Sequence, residues 1–399
     1  MIRKAREGEI TWLPGISPSD IPYPLPNGIR VFLQGEKLGL EIQGVVGAIP
    51  FRNGDTLQII PKVGKINFLR LLFRAEGNQR DLESSFNEFV EYSIVDEETV
   101  DTIVARHLLY CAEEILKRSP KRGRVRHHHV GLFAAGQIEL VATALNIAAG
   151  KEEPVAYVTK DKTEDIAENR VITEAIVRVW PILNEMNQQG LRSVYDRWTR
   201  RFPRSGDLAA DLERVERRFA ARGYGGFRDY YRKALMVSRV VLGSNGIGFG
   251  DAGTVGGEAV LINTADVFEK YLRSVISDAY SDSGYIVSKG GIGATSLYTD
   301  GSFELVPDIV VDRERRTLLI ADAKYKVPDA GDHYQMAAYL AVNRVSNGLL
   351  LSPHFGGDAV IIREYATATK IVVREAYLPM EDLDATEKFL GTVIERFAS

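Results

Sequence analysis

The stretch VPDIVVDRERRTLLIADAKYK, residues 306 to 326, constrains the fold of this chain more than any other segment. It contains two apolar runs, Ile309 to Val311 and Leu318 to Ile320, separated by a charged segment from Asp312 to Arg316. Short apolar runs joined by a polar turn are typical of a buried β-hairpin. The segment therefore predicts that the last part of the chain is built around a sheet.

The ends of this hairpin carry charges that a buried strand pair does not need. Side chains of a strand alternate between its two faces, so Asp322 and Lys324 share a face. If the two apolar runs pair, Asp308 lies beside Asp322. The sequence therefore predicts two carboxylates and an ammonium group at one end of the hairpin.

Two neighbouring carboxylates repel each other and favour protonation, unless a cation lies between them. Mg²⁺ prefers oxygen ligands and few protein carboxylates, with water and phosphate as its other ligands. Asp308, Asp322 and the carbonyl of Ala323 are the expected ligands, with Mn²⁺ as an alternative metal. Lys324 is placed to orient or deprotonate a water molecule. The chemistry that this pattern predicts is metal-assisted hydrolysis of a phosphodiester.

The remaining patterns predict a multidomain α/β protein. Residues 1–82 are rich in short strands, and residues 83–242 are mainly helical, with an extended arm at 125–136. A glycine-rich segment at 243–250 reads as a linker. Residues 251–399 alternate helices and strands, which indicates a mixed sheet.

Composition excludes several classes of protein. With 50 basic and 54 acidic residues, the chain lacks the overall positive charge of a histone. This composition does not exclude a local basic surface that binds nucleic acid. Cys111 is its one cysteine, which excludes a disulfide framework and a cysteine zinc site. No apolar run reaches the roughly 18–20 residues of a membrane span, and no signal peptide is evident. A cytoplasmic protein with no membrane partner is expected.

The charged residues of the hairpin also carry a resemblance. Pro307-Asp308 followed by Asp322-Ala323-Lys324 resembles the signature of PD-(D/E)xK nucleases. Gln335 and Tyr339, four apart on one helix face, resemble the branch with a glutamine and a tyrosine after the lysine. Glu269 resembles the glutamate of the helix that opens this fold. The resemblance implies a C-terminal restriction-endonuclease-like domain, in which Glu269 assists the metal and Gln335 caps or bridges near the site.

Longer stretches extend the resemblance over most of the chain. LQIIPKVGKINFLRLLF, GQIELVATA, ENRVITEAIV and PDIVV with LIADAKYK follow one another as in the McrC family, the nuclease subunits of McrBC-type restriction systems. The resemblance implies an McrB-like AAA+ GTPase ring as partner, whose hydrolysis this chain stimulates, and methylated double-stranded DNA as substrate. The chain has no G-x-x-x-x-G-K-[ST] loop, so it is not itself a P-loop motor. Reading of the methylated base is expected of the partner.

Other motifs have a structural and a functional reading, and the sequence leaves both open. His127 to His129 indicate a polar arm more than a metal site, because no further ligands follow at zinc spacing. Glu168-Asn169-Arg170 matches the McrC family or caps and packs a helix. Two basic clusters are either solvated surface or contacts to DNA phosphates or to an acidic partner. They comprise Lys117, Arg118, Lys121, Arg122, Arg124 and Arg126, and Arg197, Trp198, Arg200, Arg201 and Arg204.

Two other functions compete with a motor-coupled nuclease. The first is a stand-alone nuclease of the same fold in DNA repair or defence. The second is an adaptor that activates a partner NTPase without cutting DNA. Retention of Asp308, Asp322 and Lys324 together argues against the adaptor. Pairing of two nuclease domains on DNA is also left open.

Overall fold

The computed structural model describes residues 2–22, 25, 28–35, 37–76, 100–185, 189–220, 229–242, 247–249, 260–281, 283–290, 295–314, 316–368 and 370–398. The chain forms two compact units, one of residues 1–104 with 240–399 and one of residues 105–239. Helices and sheets occur in both units, so the fold is multidomain α/β, as predicted. The predicted domain boundaries at 82/83 and 251 lie outside the described residues, and the domain ranges stay predictions.

Short strands dominate the start of the first unit. Its elements are β1 (Ile2–Arg6), β2 (Ile10–Trp12), β3 (Ile29–Gln34), β4 (Lys37–Ile42), β5 (Val45–Pro50), β6 (Thr56–Ile60) and α1 (Lys65–Glu76). β2, β4 and β3 form an antiparallel sheet in that order. The predicted β-rich start, with a change to helix after Pro61, is confirmed.

The second unit combines helices with a three-stranded sheet. Between residues 100 and 242 the elements are α2 (Val100–Arg118), β7 (Gly123–Gly131), β8 (Gln137–Ile138), α3 (Leu140–Ala148), β9 (Val155–Thr163), α4 (Ala167–Glu185), α5 (Gln189–Arg201), α6 (Leu208–Ala220) and α7 (Asp229–Leu242). Within the mainly helical region, the sequence patterns predict helices from Val104, Asn169, Leu208 and Tyr230, and the structure confirms them. The predicted ends at Met186 and Arg222 lie outside the described residues.

The extended arm predicted at 125–136 is confirmed in part, because the strand β7 covers it up to Gly131. It pairs with β9 over nine residues, from Gly123 opposite Thr163 to Gly131 opposite Val155, and β8 pairs with β9 on its other side. The strand β9 was not predicted from the sequence. Its second half, Lys160 to Thr163, is polar and mostly exposed, so it lacks the apolar alternation that signals a strand.

The remainder of the first unit alternates strands and helices. Its elements are β10 (Ile247–Phe249), β11 (Val260–Asn263), α8 (Thr264–Ala279), β12 (Ile286–Ser288), β13 (Thr295–Ser296), β14 (Glu304–Leu305), β15 (Ile309–Arg313), β16 (Arg316–Ala323), α9 (Ala330–Asn343), β17 (Asn347–His354), β18 (Ile361–Ala366), β19 (Val372–Pro379), α10 (Leu383–Leu390) and α11 (Val393–Phe397). The predicted linker contributes β10, and its residues 243–246 and 250 lie outside the described ones.

The sequence pattern from Asp382 to Phe397 predicts one closing helix, and this prediction is wrong. The helix stops at Leu390, and a second one begins at Val393. Gly391 and Thr392 separate them, and Thr392 has φ −121°, outside the helical range. Glycine in a helix interior costs about 1 kcal/mol relative to alanine, which favours a break at this point.

A six-stranded mixed sheet carries the hairpin, in the order β12-β15-β16-β17-β19-β18. β16, β17 and β19 run parallel, and the other neighbours pair antiparallel. The central β17 is buried through Leu349, Leu350 and Leu351, as expected of a strand covered on both faces. α9 packs against it through one apolar cluster. This cluster consists of Ile320, Met336, Tyr339, Leu340, Val345, Leu350 and Val373.

A second sheet joins the two sequence segments, 1–104 and 240–399, that make up the first unit. Its order is β1-β6-β5-β11-β10, and β11 pairs antiparallel with β5. β11 leads directly into α8, whose first turn is capped by Asn263 through the amides of Ala265 and Asp266. The position of α8 is therefore set by strands from the start of the chain. Among the described helices, none combines the length and apolarity needed to span a bilayer.

Candidate active site

The hairpin of β15 and β16 brings Asp308 and Asp322 together. Ile309 lies opposite Ala321 in the antiparallel register, so the two aspartates face each other one residue further on. The Asp308 amide lies 3.5 Å from Oδ1 of Asp322, and Oδ2 of Asp308 accepts a hydrogen bond from the Ala323 amide at 3.0 Å. Asp308 and Asp322 therefore meet as the sequence predicts.

Lys324 joins the same group of side chains. Its Nζ lies 2.5 Å from Oδ2 of Asp322 and donates to Oε1 of Gln335 at 2.9 Å. Gln335 in turn donates to the hydroxyl of Tyr339 at 2.7 Å, while the Tyr339 ring lies in the core cluster. Burial disfavours charge on Lys324, but the hydrogen bonds to Asp322 and Asp332 outweigh it and raise the pKa of the lysine. Lys324 is thus held as an ammonium group.

Glu269 lies on α8 and reaches the site through two cations. Lys289, directly after β12, donates to both carboxylate oxygens of Glu269 at 2.7 and 2.8 Å and lies 3.6 Å from Oδ1 of Asp308. Arg273 donates to Glu269 at 2.6 Å and to the carbonyl of Asp308 at 3.0 Å. Burial works against the charge of Glu269, yet the hydrogen bonds from Lys289 and Arg273 lower its pKa.

The surroundings of Asp308 disfavour the negative charge of its carboxylate. Burial, followed by the charges of Asp322 and Glu269, raises the pKa of Asp308 to about 7. A carboxylate in this position gains from any cation that approaches it. The carboxylates of Asp308 and Asp322, with the adjacent Ala323 carbonyl, are a donor set of the kind that Mg²⁺ takes.

The protein supplies few metal ligands at this site. Within the described residues, no group of three or more His, Cys, Asp or Glu side chains is arranged to hold a metal ion. Mg²⁺ keeps several of its waters and commonly binds through one or two carboxylates with substrate phosphate. The pair Asp308 and Asp322 fits that mode, whereas a closed site made of protein ligands alone is not formed.

Three residues of this cluster were not predicted from the sequence. Arg273 and Lys289 hold Glu269, and Asp332 lies 3.3 Å from Nζ of Lys324. Asp332 had a sequence signal, because Asp329 and Asp332 have the spacing of a helix capping box. Lys289 had a weaker one, its position at the end of the strand β12. Arg273 follows Glu269 by four residues, the spacing of a helical ion pair.

The three histidines lie on the exposed strand β7. His127 lies 3.7 Å from Asp161, and His128 lies 3.1 Å from Glu139. His129 hydrogen-bonds to Thr159 at 3.0 Å and stacks on a tyrosine ring of β9. Each histidine is thus matched to a polar group within the β7–β9 sheet or next to it.

Much of the two basic clusters is occupied by ion pairs inside the second unit. Arg201 makes two hydrogen bonds of 2.7 Å to Glu164, and Arg204 pairs with Glu174 at 2.7 Å. Trp198 is fully buried and donates to a threonine hydroxyl at 2.9 Å. In the first cluster, four cations contact acidic residues. These cations are Lys117, Arg118, Lys121 and Arg122.

Glu168, Asn169 and Arg170 tie α4 to its neighbours. The buried Asn169 donates to the carbonyls of Lys121 and Glu164 and accepts from the hydroxyl of Tyr231 at 2.8 Å. Arg170 makes two 2.7 Å hydrogen bonds to a buried aspartate of α6. Glu168 is paired with Lys121 and with Arg218. These contacts give the motif a packing role.

Comparison with known proteins gives a match to one family and matches to solved structures, two of which are described below. The family model described as McrBC 5-methylcytosine restriction system component matches residues 40–353. No curated protein matches the chain by sequence.

The first solved structure is a refined half-complex from a tetradecameric assembly of Thermococcus gammatolerans McrB AAA+ hexamers with bound McrC. Over 99% of this chain and 100% of that chain, the identity is 12% and the TM-score 0.58, which indicates a shared fold. The second is the cryo-EM structure of the Thermococcus gammatolerans McrBC complex. It matches 70% of this chain and 88% of that chain, at 12% identity and a TM-score of 0.44.

Proposed function

The chain belongs to the McrBC 5-methylcytosine restriction system component family, and from this premise we propose that it is the DNA-cleaving subunit of such a system. The observation that carries the proposal is the convergence of Asp308, Asp322 and Lys324 at one end of a buried hairpin. A PD-(D/E)xK domain holding this site, with double-stranded DNA as substrate, is part of the proposal. The reaction is hydrolysis of a phosphodiester bond.

Each side chain of the cluster has a role in this reaction. Mg²⁺, held by Asp308, Asp322 and the Ala323 carbonyl with support from Glu269, would supply charge neutralisation at the phosphate and a more acidic water. Lys324 presents its ammonium group beside Asp322 and can orient a water molecule or a phosphate oxygen. Gln335 fixes the lysine from the other side by accepting one of its hydrogen bonds.

Substitutions at the hairpin end test the proposal. Asp322→Ala and Lys324→Ala are expected to abolish DNA cleavage by the full chain with its partner, while circular dichroism and partner binding stay as in wild type. Chelation of divalent ions is expected to stop cleavage, and added Mg²⁺ or Mn²⁺ to restore it. Asp300→Ala, an exposed aspartate in the β13–β14 turn, is the matched control. Cleavage at the wild-type rate by Asp322→Ala would disprove the assignment.

The proposed partner is an McrB-like AAA+ GTPase ring, and an exposed apolar surface in the second unit supports it. The helix α3 exposes Leu140 at 78%, Val141 at 76% and Leu145 at 66%. In the turn between β7 and β8, Phe133 is 84% exposed. Contiguous apolar side chains on a soluble protein mark interaction sites. We place ring binding and stimulation of GTP hydrolysis on this surface.

Charge substitutions on α3 test this placement. Leu140→Glu combined with Leu145→Glu is expected to abolish ring binding and stimulation of GTP hydrolysis, without lowering the thermal stability. Ile66→Glu, which charges an exposed apolar position of the first unit, is the control. The full chain is required, because a fragment ending at residue 240 would lose β11 from the sheet that contains β5.

Stimulation by the double variant at the wild-type level would contradict the placement of the partner surface on α3. Two other outcomes would favour another function. Efficient cleavage by the isolated chain, with no ring added, would favour a stand-alone nuclease. Stimulation without any cleavage by the wild-type complex would favour an adaptor.

A further inference from the structure

We infer that Asp332 is a positioning residue that holds the ammonium group of Lys324 in place, an inference that rests on the proposed function. Asp332 is buried at the start of α9 and is outside the set of residues that resembles the nuclease signature. Its Oδ1 lies 3.3 Å from Nζ of Lys324, and its Oδ2 lies 3.0 Å from Nζ of Lys326. One carboxylate thus contacts two lysines from the end of the hairpin.

The helix fixes the carboxylate of Asp332 independently of those lysines. Asp329 and Asp332 form a reciprocal capping box, in which each side chain accepts from the amide of the other at 3.1 and 2.9 Å. The N-terminal turn of a helix also favours negative charge. The position of this carboxylate is therefore set by α9, and Lys324 is drawn to it.

Three acceptors match the three hydrogen atoms of the Lys324 ammonium group. They are Oδ2 of Asp322 at 2.5 Å, Oε1 of Gln335 at 2.9 Å and Oδ1 of Asp332 at 3.3 Å. A lysine has four flexible methylene groups, and ordering them costs up to about 2 kcal/mol of rotamer entropy. Three fixed acceptors restrict the amine to one place.

Asp322 differs from the other two acceptors in this arrangement. In the proposed function the carboxylate of Asp322 also binds the metal at the substrate phosphate. Its interaction with the lysine is therefore weakened when the metal is bound. Asp332 and Gln335 have no such second task, and of the two only Asp332 carries a charge. Asp332 therefore keeps the lysine beside the site while Asp322 is engaged.

A cap and a positioning residue give different results when the two partners of the capping box are substituted separately. Asp329→Ala removes the cap and the contact with Lys326 but leaves the neighbours of Lys324 in place. Asp332→Ala removes the other half of the capping box, the acceptor of the Asp329 amide, together with the contacts to Lys324 and Lys326. Asp332→Asn removes the charge and keeps one side-chain oxygen, which serves either the Asp329 amide or Lys324, because these two contact different oxygens of the aspartate.

The test measures steady-state DNA cleavage and thermal stability of these variants in the full complex. Because small misplacements of a reacting group cost up to about 100-fold in rate, Asp332→Ala is expected to lower kcat by roughly 10- to 100-fold with KM for DNA nearly unchanged. Asp332→Asn is expected to recover part of the rate. Asp329→Ala is expected to lose a similar amount of thermal stability and to keep kcat within about twofold, since caps act on stability.

Two results would overturn separate parts of this account. Equal losses of kcat in Asp329→Ala and Asp332→Ala would show that the cap alone matters, and would overturn the positioning role. Wild-type cleavage by Lys324→Ala would overturn the proposed function itself. A loss of kcat confined to the Asp332 variants supports the inference.

Discussion

The carboxylate of Glu7 accepts a hydrogen bond from the hydroxyl of Tyr325 at 3.4 Å, although 318 residues separate them in sequence. Tyr325 directly follows Lys324 of the candidate site. Glu7 is buried and also accepts from the hydroxyl of Thr264, the first residue of α8, and from the amide of Lys62 at 3.3 Å. The turn after β1 thus braces two elements that carry site residues.

Removing this brace is expected to destabilise the first unit. Glu7→Ala leaves the hydroxyls of Thr264 and Tyr325 without their buried acceptor, and an unsatisfied buried donor costs about 1–3 kcal/mol. Tyr325→Phe removes only the longer hydrogen bond and is expected to cost less than about 1 kcal/mol. Urea denaturation followed by circular dichroism measures both. Equal stability of Glu7→Ala and wild type would contradict the bracing role.

The same carboxyl predicts a pH dependence of stability. Burial raises the pKa of Glu7 above 4.5, against the opposing hydrogen bonds from Thr264 and Lys62. The folded state therefore binds this proton more tightly than the unfolded state. The resulting stabilisation is complete below about pH 4.5 and is lost as the pH rises through the folded-state pKa. Glu7→Gln is expected to gain thermal stability over wild type between pH 4.5 and 7. A difference that stays constant across this range would contradict the prediction.

The candidate site was predictable because its information is local. Asp308, Asp322 and Lys324 lie within 17 residues of sequence, and the two-residue period of a strand decides which side chains share a face. In the observed pairing Val310 lies opposite Ile320, which is the register that places Asp308 opposite Asp322. The pairing shifts by one residue only next to Asp312, in the charged turn away from the site.

The remaining architecture depends on contacts that a local pattern does not encode. β11 pairs with β5, more than 200 residues earlier, and nothing within Val260 to Asn263 specifies that partner. Lys289 reaches Glu269 and Asp308 because β12 pairs with β15, which is again a tertiary choice. The contacts of such residues can be assigned only when the strand order is known.

The packing role of Arg170 predicts a large loss of stability upon substitution. Its two hydrogen bonds neutralise Asp211, whose side chain is 4% exposed. Arg170→Met is expected to destabilise the second unit by about 3–5 kcal/mol, because the buried carboxylate loses its two short hydrogen bonds to the guanidinium and is left with the hydroxyl of Ser205 and the more distant Arg214. Arg214, 59% exposed and 3.6 Å from the same carboxylate, is the matched control, with an expected loss below about 1 kcal/mol.

Acid should reduce the difference between Arg170→Met and wild type. The hydrogen bonds from Arg170 hold the pKa of Asp211 below 3.8, so the pair stabilises the fold above that pH and this contribution is lost as the pH falls through the folded-state pKa. Urea denaturation at pH 7 and at pH 3 measures the difference. Equal losses for Arg170→Met and Arg214→Met at pH 7 would contradict the packing role.

Cys111 is expected to be unreactive in the folded protein. It is the only cysteine, it is buried, and burial followed by the charge of Glu114 raises its pKa to about 12. At pH 8 the thiolate, which is the reactive form, is therefore scarce in the folded protein. Ellman's reagent is expected to label the native chain far more slowly than the urea-unfolded chain. Labelling of the native chain at the unfolded rate would contradict the burial of this helix face.

In the proposed function, Lys289 is expected to compete with Mg²⁺ for the carboxylates of the candidate site. Its ammonium group contacts Glu269 at 2.7 Å and lies 3.6 Å from Asp308. At about 4 Å in a high-dielectric environment, one such charge is worth about 1 kcal/mol. Lys289→Met should therefore lower the Mg²⁺ concentration for half-maximal cleavage by roughly fivefold. Lys289→Arg keeps the charge and should leave this concentration near the wild-type value. A higher Mg²⁺ requirement in Lys289→Met than in Lys289→Arg would show that the lysine serves DNA binding and does not compete with the metal.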